Sequence, residues 1–230
     1  MLPPTQNTHA QPTQHTTKRS KGRPKVVEGR DSSTTAQTIL QAAKKLFMSR
    51  GYNGVSMNDI TAQTQVTKPT LYYYFNSKEN LSTQVLLDMM QRAHPHILSG
   101  MNPEQTLQQQ LAMEAQGFFE NSPTCLALML GDARDHLNDT SLATVRQAYQ
   151  AYILEPFITM FRQAMIQGEI PERDPAILAS MVISTLDGMH MQHKFEGIPR
   201  TAIPSLSQTL ATLVLQGCAN SPSPSSASTH

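Results

Sequence analysis

Between Ser56 and Leu81 the chain reads SMNDITAQTQVTKPTLYYYFNSKENL. Thr67, Lys68 and Thr70 stand just ahead of Tyr72, Tyr73 and Tyr74, so hydroxyls, an ammonium group and three phenols fall within one short segment. Such groups donate hydrogen bonds to phosphate oxygens, and a tyrosine ring can pack on a thymine methyl. The free N–H groups in the first turn of a helix attract phosphate as well. Successive helical side chains point about 100° apart. Leu71 and Phe75, four apart, claim the core face, so at least one or two of the tyrosines must face outward. Packing of the aromatic run against the following helix is the competing reading for any single tyrosine.

A basic arm precedes this segment. Residues 18–30 hold six Lys or Arg and one Glu, a charge of +5, against −4 over the remaining residues and +1 for the whole chain. Its Gly22-Arg23-Pro24 centre, followed by Lys25, resembles the AT-hook type of minor-groove reader. Arginine suits a narrow A·T-rich groove, where the potential is most negative. Arg23 and Lys25 are therefore candidate DNA contacts. A solvated, solubility-promoting tail is the alternative.

Other chemistries find little support. Cys125 and His136 would lie about 16 Å apart along one helix, too far for a dyad. No serine elbow, phosphate loop or dinucleotide fingerprint occurs. Asp187, His190 and His193 are spaced i, i+3, i+6, and His94 and His96 flank Pro95. Ordinary hydrogen-bonded histidines explain both groups better than metal ligation. No enzyme activity, metal or other cofactor is expected. The two cysteines form no disulfide framework, no apolar run approaches bilayer length and no secretory leader is evident, so a cytoplasmic protein is expected.

These residues must be positioned by helices. Residues 1–17 carry no Lys, Arg, Asp or Glu, and both they and 221–230 lack the apolar content to fold. Between them the pattern is all-α. The first helix begins near Ser32 or Ser33, buries Ile39, Leu40, Ala43, Leu46 and Phe47, and stops at Gly51. Ser56 caps the second, with Asp59 completing a weak capping box; it runs to about Gln63. Thr67 caps the third and Ser77 the fourth, which Pro95 should end or kink. Helices follow at about 104–120, 123–136, 139–168, 174–195 and 203–218. Pro103, Pro123 and Pro175 suit first turns, and Pro156 predicts a kink.

The stretch AAKKLFMSRGYNGVSMNDITAQTQVTKPTLYYYFNSKENL, residues 42–81, resembles the tetracycline-repressor (TetR/AcrR) family of transcriptional regulators. Leu46-Phe47, Gly51-Tyr52, Ser56 with Asp59-Ile60, Val66-Thr67-Lys68, Thr70-Leu71-Tyr72, Phe75 and Ser77-Lys78-Glu79 with Leu81 match that family's pattern. The resemblance implies a three-helix head with a helix-turn-helix at 31–92 and a helical ligand-binding and dimerisation body at 93–220. It implies DNA contacts by Ser56, Met57, Thr67, Lys68, Pro69, Thr70, Tyr72, Tyr73, Tyr74 and Lys78. Gln65 departs from the glycine usual in the interhelical turn: either it takes a positive φ at about 1–2 kcal/mol or the turn differs. Pro69, in place of a common glycine, is tolerated in a first turn.

The body supplies the remaining expectations. Thirteen methionines are many for 230 residues. Met113, Met129, Met160 and Met165, with Phe118, Phe161 and His190, are candidate walls of a pocket for an apolar or amphipathic effector. Plain core filling is the alternative for each. The TLDGMHMQ segment fits the family's penultimate helix. Asp187 and Gly188, with Leu206, Leu210, Leu213 and Val214, are then candidates for the interface of a homodimer. The whole reads as a dimeric regulator, a repressor released from a palindromic operator in double-stranded DNA by a small molecule. A protein–protein adaptor that has lost operator binding, and an architectural DNA-binding protein acting through the arm, are the alternatives.

Overall fold

A computed structural model describes residues 32–121, 126–197 and 199–220. The candidate arm residues Arg23 and Lys25, both tails, Pro123 and Cys125 lie outside the described residues. Every regular element among the described residues is helical.

Three short helices form the head: α1 (Ser32–Arg50), α2 (Met57–Thr64) and α3 (Lys68–Tyr74). Their apolar spacing converges Ile39, Ala43, Phe47, Val55, Ile60, Leu71 and Phe75 on one core. Gly51 ends α1 at φ +68, a conformation that costs glycine little. Ser56 starts α2 with a full capping box: its hydroxyl accepts from the Asp59 N–H at 3.2 Å, and the Asp59 carboxylate accepts the Ser56 N–H at 2.8 Å. Thr67 caps α3 by accepting the Thr70 N–H at 3.3 Å, and Phe75 closes it. The turn between α2 and α3 keeps its expected shape, because Gln65 adopts φ 58, ψ 15 and pays the left-handed cost.

The long helix α4 (Lys78–Gly100) joins head to body. Pro95, expected to end or kink it, does not end it; the helix continues to Gly100 and crosses the anticipated boundary at residue 92. The body then adds α5 (Leu107–Asn121), α6 (Leu126–His136) and α7 (Asp139–Tyr149). Pro103 stands in a turn before α5 rather than in its first turn. A single wide π turn, Gln150–Leu154, links α7 to α8 (Glu155–Ile166). Pro156 lacks the N–H that would pair with the Tyr152 carbonyl four residues back. That carbonyl instead accepts from His94 Nδ1 at 3.0 Å, so the distortion falls one turn ahead of the proline. His94 is thereby a structural donor. The chain ends in α9 (Pro175–Glu196) and α10 (Ile203–Asn220).

The left-handed Gln65 offers a direct check. Gln65→Gly should relieve the strain while loosening the unfolded chain, a net gain of about 0.5–1 kcal/mol. A urea midpoint that rises with unchanged slope would register it.

Candidate nucleic-acid interface and internal cavity

On α3 the outward face is sorted from the core face by single-residue steps. Leu71 is fully buried, whereas Tyr73 is 82% exposed and Tyr72 42%. Lys68 and Pro69 are exposed, and Tyr74 is half-buried, its ring edge-on to Tyr73 at 5.2 Å. The Thr67 and Thr70 hydroxyls hydrogen-bond each other at 2.7 Å while remaining at the surface. Lys68, Tyr72 and Tyr73 thus present one ammonium group and two phenols on a single short helix.

Two candidate contacts take other places. Met57 is buried in the head core, 8% exposed, because it begins α2 on the face that Ile60 continues. Lys78 turns inward: its Nζ donates to the Tyr52 carbonyl at 3.0 Å and the Val55 carbonyl at 3.1 Å, and lies 4.0 Å from the Tyr52 ring centroid. Both therefore build the head instead of lining its outer face. Ser56 is exposed, with its side chain engaged in the cap.

The same turn is held from the body. The Tyr52 N–H donates to Asp132 Oδ2 at 2.8 Å, and Asn53 Nδ2 contacts His136 Nε2 at 2.7 Å. His136 Nδ1 donates to the Asp132 carbonyl at 2.9 Å, leaving Nε2 as the acceptor, and its ring stacks on Tyr52 at 5.1 Å. Asp132 and His136 both belong to α6, whose first residue, Leu126, lines a cavity that opens to solvent past Arg92, His96 and Met113.

That cavity, about 360 Å³, lies between α1, α4, α5, the start of α6, α7, the π turn, α8 and α9. Met89, Phe118, Ile153, Phe157, Ile183 and Leu186 give it apolar walls. Glu114 is 7% exposed, and its Oε1 has no hydrogen-bond partner among the described residues. Gly100 makes room for it, since a Cβ there would fall 2.0 Å from Oε1. Burial pushes the Glu114 carboxyl up to about 8 and that of Asp187, on the same cavity, up to about 6. Tyr149 is raised by burial and by Asp187; Lys44 is lowered, chiefly by burial.

Of the anticipated pocket residues, Met113 and Phe118 line this cavity. Met129, Phe161 and His190 are core residues, the His190 ring packing edge-on to Phe118 at 5.5 Å. Met160 lines a separate open groove, and Met165 is partly buried against the core. Asp187, anticipated at a dimer interface, lines the cavity instead. Leu210 is buried within the protomer, since α10 lies against α5; Leu206 and Val214 are half-buried there. Gly188 and Leu213 face outward, the latter 62% exposed. Glu114 was missed. Its one signal was position: Leu107, Leu111, Glu114 and Phe118 fall at i, i+4, i+7 and i+11, so an acid occupies an apolar stripe.

Known proteins share this fold. The family model for bacterial regulatory proteins of the tetR family matches residues 39–85. The transcriptional repressor ComR of Escherichia coli K12 is 32% identical over 188 residues, 75% of this chain and 82% of its own length. The transcriptional repressor DhaR of Mycobacterium sp. strain GP1 is 27% identical over 175 residues, 70% of this chain and 82% of its own. In fold, a TetR-family regulator from Cytophaga hutchinsonii superposes with a TM-score of 0.66 at 18% identity, over 85% of this chain and all of its own. Reduced NemR of E. coli gives 0.65 at 16%, over 82% of this chain and 99% of its own.

The buried acid sets a pH dependence opposite to that of a salt-bridged carboxylate. The unfolded chain releases the Glu114 proton near 4.5, while the folded protein keeps it to about 8. Its contribution to stability is therefore full below about pH 4.5 and is lost as pH rises toward about 8. Thermal melts between pH 5 and pH 8 should show the wild-type midpoint falling relative to Glu114→Gln.

Proposed function

The chain belongs to the tetR family of bacterial regulatory proteins, and on that premise we propose that it is a homodimeric repressor released from a palindromic operator by a small molecule. It is a DNA-binding transcriptional regulator of the helix-turn-helix type, not an enzyme. The finer reading rests first on α3. An exposed Lys68, Tyr72 and Tyr73 opposite a fully buried Leu71 is a helix ready to enter a major groove. Thr67 and Thr70 lie at its N-terminal end, where backbone N–H groups favour phosphate. Arg23 and Lys25 would add minor-groove contacts ahead of α1.

Self-association is supported by α9. Ile177, Met181, Ser184, Gly188 and Met191 recur at i, i+4, i+7, i+11 and i+14, and all are exposed. A stripe of that spacing suits helix-on-helix packing, and Gly188, with open space beyond its Cα, permits close approach. Leu213 offers a matching apolar group on α10. Two heads must then stand roughly 34–36 Å apart to read two half-sites.

Release requires that the ligand bind two head arrangements unequally. Helix α6 supplies the connection, because Leu126 touches the cavity and Asp132 and His136 hold the head turn. The helix between them spans roughly 15 Å and moves as one piece. The left-handed Gln65 keeps the turn between α2 and α3, which supports operator binding over the adaptor alternative.

A gel shift on the DNA upstream of its own gene tests the assignment. Lys68→Ala and Tyr73→Ala should each weaken specific binding by about tenfold or more, with helicity and dimer mass unchanged. Full affinity in both variants would overturn it.

A further inference from the structure

The cavity carries an electrostatic demand that its apolar walls do not explain. Two carboxyl groups, Glu114 from α5 and Asp187 from α9, line one space of about 360 Å³. Glu114 is more than nine-tenths buried, and its Oε1 meets no donor among the described residues. A buried polar atom left unpaired costs stability, and a buried unpaired carboxylate costs more. Simple filling of the core would place an apolar residue at this position of the stripe.

Lys44 and Arg92 also line the space, but neither is a counter-ion for these acids, whose carboxyls are shifted by burial alone. Arg92 gives Nε to Asp88 at 2.8 Å and Nη2 to Gln37 at 2.6 Å. Lys44, on α1, has Asp88 as its attractive partner, with Arg92 opposing it. From the elements around Glu114, α4 presents Arg92 and His96 to the cavity, α7 presents Tyr149 and α9 presents Asp187. Helix α8 brings no charged group to the cavity, and the titratable residue of α10, Cys218, is not on its lining.

We propose that this cavity takes an organic cation, a compact apolar body bearing one protonated amine, with Glu114 as its counter-ion and Asp187 beside it. The proposal rests on the reading of the chain as a ligand-released regulator and gives the effector's chemical class. A neutral acceptor would satisfy one protonated carboxyl and leave the other acid unrelieved. An anion would meet the Asp187 carboxylate above about pH 6 and would hold Glu114 protonated, so its affinity would fall as pH rises. An ammonium group answers both acids, and the apolar walls bury the rest of the molecule. Its volume falls within the range of small-molecule sites.

Binding a cation must expel the Glu114 proton, which the empty folded protein holds to about pH 8. Affinity for an alkylammonium therefore rises with pH, by up to about tenfold per unit below pH 8, while the amine itself stays protonated. A neutral probe has no such slope.

The experiment is calorimetric titration of the full chain at pH 6, 7 and 8 with three probes sharing one body: 4-phenylbutylammonium, 4-phenylbutanol and 4-phenylbutyrate. The ammonium should bind about tenfold more tightly than the alcohol at pH 8, with the carboxylate weakest. Glu114→Gln should cut the charge preference and remove the pH slope between pH 7 and pH 8 while still binding the alcohol, which shows that the variant is folded. Preference for the alcohol or carboxylate, a flat pH profile for the ammonium, or no saturable ammonium binding would overturn the proposal. Gel shifts with the same probe separate the two readings. A charge-selective cavity whose filling leaves DNA bound upholds the ligand class and sinks ligand release.

Discussion

The turn between α1 and α2 leaves backbone groups that neither helix can pair, and their pairing decides how the molecule is assembled. The Tyr52 and Val55 carbonyls go to Lys78 at the start of α4. The Tyr52 N–H goes to Asp132 in the middle of α6. Buried or half-buried peptide groups demand such partners, because each one left unmade costs about 1–3 kcal/mol. One six-residue turn therefore fixes the head against α4 and α6, and Gly51 with its positive φ is what lets the chain enter it. The orientation of α3 follows, since α3 is packed on α2 and α2 hangs from this turn.

The head was legible almost residue by residue. Caps at Ser56, Thr67 and Ser77 and stripes such as Ile39, Ala43 and Phe47 are local signals, and local signals carry short helices. Lys78 and Met57 were misplaced for one reason: a basic or flexible side chain beside a DNA-facing helix reads as a contact until its neighbours are known. Lys78 finds its carbonyls 23 and 26 residues away, a proximity that no spacing rule encodes. In the body the helices were visible, but their pairing was not. Leu210 and Asp187 carry the same periodicity whether they face a second subunit or the protomer's own interior, and only the placement of α10 against α5, and of α9 against α5 and α8, separates the two. The methionine count proved a weak guide, since Met129 and Met160 are buried in core, Met181 and Met191 are exposed, and of the body methionines anticipated in a pocket Met113 alone lines the cavity. The informative residue was an acid where an apolar one was expected.

That acid also changes what the cavity is. An apolar pocket discriminates weakly, by size and shape, whereas a pocket whose buried carboxyl must be satisfied rejects molecules that cannot satisfy it. The stability that Glu114 and Asp187 withhold from the empty protein is what a matching guest can recover. The cost is placed where α4, α5 and α9 meet, and α4 runs without interruption from this point to the head.

The π turn at Gln150–Leu154 has a geometric consequence for that chamber. Tyr149, Ile153 and Phe157 line it at i, i+4 and i+8. Along an unbroken α-helix the third would be rotated about 80° from the first and would point away. One extra residue absorbed by the wider coil reduces that drift to about 20°, so the three rings and branches form a single flat partition. Proline and histidine thus act together as a spacer: Pro156 frees a carbonyl, His94 takes it, and the register of everything after it is reset. Excising one residue from this coil would restore a regular spiral yet leave the partition aligned, whereas winding all of its residues as an α-helix would turn Phe157 aside by most of a quarter turn.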